Sequence, residues 1–137
     1  MRENGEEVRK IHYTDEADFK VKIEDILKGL HTEKVEYSDI TFLTPKQYQK
    51  SILGRTGIKV NEINEDMDLK SKLPRFSTIH GFKGLDSKVI IFCGLDDIHD
   101  ANYSKFAYIA ATRARTLLYM VEEIQTGNGR LYDSYTF

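Results

Sequence analysis

Two stretches of the chain hold residue types whose spacing could do chemistry. In Ser77-Thr78-Ile79-His80-Gly81-Phe82-Lys83-Gly84-Leu85-Asp86, two glycines bracket an aromatic and a lysine, directly before the apolar run Val89-Ile90-Ile91-Phe92-Cys93. Glycine allows conformations and close approaches that a Cβ forbids, so such a loop can offer amides, a lysine and a carboxylate to a phosphate or ribose. In Phe106-Ala107-Tyr108-Ile109-Ala110-Ala111-Thr112-Arg113-Ala114-Arg115, helical periodicity places arginines near the end of an otherwise apolar helix. A cation there can stabilise the helix dipole.

These stretches need a scaffold, and the hydrophobic pattern supplies one. Residues 8–13 alternate and predict a strand, after which Thr14 can cap a helix carrying Phe19, Ile23, Ile26, Leu27 and Leu30 on one face. Gly29 weakens the last turn of that helix, and His31-Thr32 reads as its exit. Residues 40–43 predict a buried strand, and Thr44-Pro45 a switch into a helix through about Leu53, ended by Gly54 and Gly57. Residues 58–63 alternate and predict a third strand, and the charged segment 64–72 a solvated loop. Further strands are expected at 76–80, 89–93 and 117–121. Continuous apolar runs suit strands covered on both faces, so the expected fold class is a three-layer α/β domain with a mainly parallel sheet.

The 137 residues suffice for one core, divided as a polar lead 1–7, a domain 8–125 and a tail 126–137. The tail, with Leu131, Tyr132, Tyr135 and Phe137, is either docked or the cut edge of a longer protein. Composition is that of a globular protein, 40% hydrophobic and 31% charged, which disfavours disorder. A formal net charge of −2 argues against a dedicated basic nucleic-acid binder while allowing a local positive groove. Cys93 is the single cysteine, so no intrachain disulfide and no cysteine framework for zinc can form. With no basic neighbour in sequence it reads as a buried structural thiol rather than a nucleophile. A reducing, cytoplasmic setting is expected, without a membrane, because the charged start lacks the apolar core of a secretory signal and no apolar run approaches the ~20 residues of a span. Asp96-Asp97-Ile98-His99-Asp100 could bind a divalent ion, but a loop of solvated acids accounts for it more simply.

Thr78 to Asp86, followed by an apolar strand and then Tyr108-Ile109-Ala110-Ala111-Thr112-Arg113-Ala114, resembles the fifth and sixth motifs of UvrD/Rep/PcrA-type superfamily-one helicases. In order and spacing the match covers the second RecA-like motor domain, over about residues 8–121. The resemblance implies a RecA-like, P-loop NTPase-like fold. By the same resemblance, Thr78, His80, Gly81 and Lys83 would lie toward single-stranded nucleic acid. Gly84 and Asp86 would face the nucleotide, Asp86 near its ribose or phosphates, where many relatives carry the longer glutamate. Arg113 would be the arginine finger at the seam between two RecA-like domains. Its planar, permanently charged fork suits charge developing on a transferring phosphoryl group. Arg115, two residues on, points to another side of the helix and reads as a surface or interdomain residue. Without the family, 77–86 would be a strand-to-helix turn with a satisfied histidine, and Arg113 a dipole-stabilising cation.

Residues 40–50 occupy the place of the family's fourth motif, which typically supplies another arginine to the γ-phosphate. Thr44 stands where that arginine is expected, and Lys46 or Lys50 could substitute only as a point charge. Tyr48 reads as packing on its own helix or as an interface aromatic. About two dozen residues separate this segment from the fifth motif, so the large inserted subdomain of UvrD-type enzymes has no room there. No Gly-x-x-x-x-Gly-Lys followed by serine or threonine occurs, so the chain alone is expected not to hydrolyse ATP. The resemblance therefore implies the C-terminal motor domain of an ATP-dependent DNA helicase or translocase. Its ATP would be shared with a Walker-containing domain, in cis or in trans, that holds most of the magnesium, and its track would be single-stranded DNA or RNA. The alternative is a catalytically degenerate RecA-like module for protein interaction or regulation, which the threonine at position 44 favours.

Overall fold

A computed structural model describes residues 7–63, 72–82, 84–94 and 103–124. Most of the polar lead, the segment 64–71, Lys83, the Asp96 to Asp100 cluster and the tail lie outside the described residues. The elements are β1 (Glu7–Tyr13), α1 (Glu16–Thr32), β2 (Ile40–Thr44), α2 (Ile52–Arg55), β3 (Asn61–Glu62), β4 (Arg75–Thr78), β5 (Ser87–Phe92), α3 (Tyr103–Arg113) and β6 (Ala114–Glu123). They build one six-stranded sheet of order β1-β6-β5-β2-β4-β3. Every pairing is parallel, with Thr44 opposite Thr78, Ile40 opposite Val89 and Ser87 opposite Ala114.

Strand alternation distributes the apolar side chains to two cores. On one face Phe42, Ile91 and Tyr119 pack under α1 and α2 through Phe19, Ile23, Leu30 and Leu53. On the other, Leu43, Ile90, Phe92 and Leu118 meet Ala110 of α3 together with Ile79 and Phe82. Burying each such side chain contributes about 1.5–3 kcal/mol, which is why β5 and β6 are apolar on both faces. The chain thus has the three-layer α/β arrangement with a parallel sheet that its apolar runs predicted, consistent with the RecA-like fold that the resemblance implied.

Several local expectations give way to cap chemistry. The N-cap of α1 is Asp15, not Thr14: its side chain accepts from the Asp18 amide at 2.8 Å, and Asp18 accepts from the Thr14 amide at 2.9 Å. The helix ends at Thr32, at the expected exit, and its stop is Lys34, at φ 66, with Val35 N donating to the Leu30 carbonyl. A lysine in that left-handed position gives no sequence signal.

After β2, Pro45 does not open a long helix. The Thr44 hydroxyl donates to the Lys46 carbonyl, residues 48–50 form a 3₁₀ turn, and only Ile52–Arg55 is α-helical, with Ser51 as its cap. Gly54 lies inside that helix because a Cβ there would sit 2.3 Å from the Tyr48 carbonyl oxygen; Gly57, at φ 76, provides the stop. The third strand shrinks to Asn61–Glu62, since the Ile58 carbonyl is taken by the Tyr48 hydroxyl and Ile58 turns into the core.

Candidate functional site

Because all strands run the same way, the sheet has two distinct ends, and residues 77–86 pass from one to the other. At the carboxyl-terminal end, β4 stops at Thr78, whose Oγ1 accepts the Gly81 amide at 3.0 Å and turns the chain into a short 3₁₀ segment over His80–Phe82. His80 and Gly81 are exposed there, and Thr78 is half-buried. Phe82, 1% exposed, is driven into the core beneath α3, so the middle of the segment is anchored to the sheet face. Gly84 then takes φ 78, a conformation costly for residues with a side chain, and the chain reaches the amino-terminal end of β5 at Asp86.

At that end Asp86 is exposed and paired with Arg115, Nε to Oδ1 3.1 Å. Arg115 belongs to β6, not to a helix as its position in the sequence suggested: α3 ends at Arg113 and β6 begins at once with Ala114. Arg113 thus sits where helix becomes strand. It is half-buried, and its Nε is enclosed with no hydrogen-bond partner among the described residues. A buried guanidinium nitrogen without an acceptor is costly, and a ligand or ordered water that supplies one would relieve that cost.

Sequence reasoning passed over a polar relay at the same end. Arg75 Nε donates to Thr41 Oγ1 at 3.2 Å, Thr41 Oγ1 donates to Ser87 Oγ at 3.0 Å, and Ser87 Oγ donates to the Asp39 carbonyl. Thr41, between the apolar Ile40 and Phe42, and Ser87 are both buried. Burial holds the Arg75 pKa below the ordinary arginine value; Asp39 and Asp86 oppose that shift, and Arg115 reinforces it. An arginine opening a strand carries no periodic signal, so nothing in the sequence singled out Arg75.

The sites expected from the sequence are therefore divided rather than gathered. Asp86 and Arg113 share the amino-terminal end; Thr78, His80 and Gly81 lie at the other; Gly84 lies on the way between them; and Lys83 is outside the described residues. Thr44, Lys46 and Lys50 belong to the carboxyl-terminal end of β2, remote from Arg113. Among the described residues no cluster of His, Cys, Asp or Glu is placed to hold a metal ion, and no helix is long and apolar enough to cross a membrane. Comparison with protein-family models and with curated proteins finds no match to this chain.

Proposed function

We propose that the chain is the second RecA-like motor domain of an ATP-dependent helicase or translocase of the UvrD/Rep/PcrA type. Its ATP is held mainly by a Walker-containing domain, which also supplies the magnesium that neutralises phosphate charge. The observation that carries this reading is the enclosed Nε of Arg113, without a partner among the described residues, at the abrupt junction of α3 and β6. Domain closure brings that guanidinium to the γ-phosphate, where charge builds in the transition state. Asp86 stands at the same end for the ribose or phosphates, while Thr78, His80 and Gly81 stand at the far end for single-stranded nucleic acid. The anchored segment between them couples nucleotide state to grip on the strand. The test is ATP turnover by Arg113→Ala in the presence of the Walker-containing domain.

A second reading, a RecA-like module for protein interaction or regulation without motor activity, draws on Thr44. That side chain is buried, commits its hydroxyl to the Lys46 carbonyl, and brings no cation to the place of the family's fourth-motif arginine.

A further inference from the structure

Arg75 has no role in the site read from the sequence. It opens β4 half-buried, and within the described residues its guanidinium is held by one hydrogen bond, from Nε to Thr41. Among the described residues the two terminal nitrogens of its fork have no hydrogen-bond partner. Its surroundings do not fully compensate its burial: the carboxylates of Asp39 and Asp86 favour the charge, but Arg115 opposes it. A cation so placed gains most from an anion supplied from outside.

Arg75 is also joined to the end of the sheet from which Arg113 and Arg115 arise. Thr41 links it to Ser87, and Ser87 pairs across β5 and β6 with Ala114, the residue between those two arginines. Among the described residues, three arginines thus stem from one end of four neighbouring strands, with the carboxylates of Asp39 and Asp86 at the same end. Arg115 lies close enough to Arg75 to oppose its charge, and cations that share one end of a sheet suit the several negative charges of a polyphosphate; an extended strand of nucleic acid needs a row of cations along a groove.

We propose that Arg75 completes an anion site at the amino-terminal end of the sheet, taking the polyphosphate tail of a nucleotide at the end from which Arg113 arises. The identity of the ligand rests on the shared nucleotide site proposed above; the place of Arg75 rests on its own contacts.

The experiment titrates the whole chain with ATP, with inorganic tripolyphosphate and with a thymidine oligonucleotide, following amide shifts at low and raised salt. Arg75→Gln should weaken ATP and tripolyphosphate about tenfold or more, as expected for lost hydrogen bonds to a charged group. Arg75→Lys, which keeps the charge but not the fork, should fall between. Arg55→Gln, at the other end of the sheet, should bind as the wild type does. Circular dichroism and the urea midpoint establish folding, and if the glutamine variant does not fold, the lysine variant decides. Equal affinity of wild type and Arg75 variants, absence of saturable binding by the wild type, or loss confined to the oligonucleotide would each overturn the proposal. Loss of polyphosphate binding in Arg75→Gln together with normal turnover in Arg113→Ala would keep this anion site and remove the motor assignment. The reverse pair of results would keep the motor and remove Arg75.

Discussion

Arg75 and Thr41 are joined across neighbouring strands by a 3.2 Å hydrogen bond from a half-buried guanidinium to a fully buried hydroxyl. Ser87 is the next member of the chain, and it retains backbone acceptors of its own at Asp39 and Val89. Thr41→Val, close in shape, leaves the arginine Nε without its acceptor. The expected cost is about 1–3 kcal/mol, seen as a lower urea midpoint at unchanged slope. An unshifted midpoint would show that the relay does not hold the strand starts together.

Gly54→Ala separates helix propensity from packing. In an open helix the change would stabilise by about 1 kcal/mol. Here the new Cβ would sit 2.3 Å from the Tyr48 carbonyl oxygen, and both groups belong to backbone. The 3₁₀ turn and α2 must move apart, disturbing the Tyr48 bond to Ile58, so a net loss of about 1–3 kcal/mol is expected. A raised urea midpoint would contradict the close approach.

The entry of α1 should carry a pH signature. The Asp18 carboxyl is held below its ordinary value, first by the Thr14 amide and also by Lys22. A carboxyl depressed in the folded state binds fewer protons there, so its contribution is present above the ordinary aspartate value of about 3.9 and is lost as pH falls through the lower folded value. The urea midpoint of the wild type should therefore exceed that of Asp18→Asn near neutrality, and the gap should close in acid. A gap independent of pH would rule out this role for the carboxylate.

Cys93, 1% exposed, has its thiol pushed well above the ordinary range by burial. Alkylation of the native protein should proceed only through opening, about a thousandfold or more slower than in concentrated urea. Comparable rates in the two states would place the thiol at the surface.

The fold was legible where periodicity is strong. The helical spacing of Phe19, Ile23, Ile26 and Leu30 and the apolar runs at 40–43 and 89–93 located α1, β2 and β5, because burial on both faces of a sheet leaves no freedom of pattern. Legibility failed where single contacts decide. Lys34 stops α1 in a left-handed conformation normally given to glycine, Gly54 serves a tight crossing rather than a helix end, and the Tyr48 hydroxyl takes a carbonyl that a strand would have used. In the candidate site the residue types at 78–86 and 113 were readable, but their division between two ends of the sheet follows from strand direction. Arg75 enters only through contacts among residues far apart in sequence: Arg75, Thr41 and Ser87.

The most direct test of the motor assignment is single-turnover ATP hydrolysis by the chain assembled with its Walker-containing domain, comparing wild type with Arg113→Ala. The chain alone should show no turnover. In the assembly the variant should lose about 10³–10⁵ in rate while ATP binding falls far less, because the arginine acts on charge that builds only in the transition state. Near-normal turnover by Arg113→Ala, or steady hydrolysis by the isolated chain that its own substitutions abolish, would contradict the account.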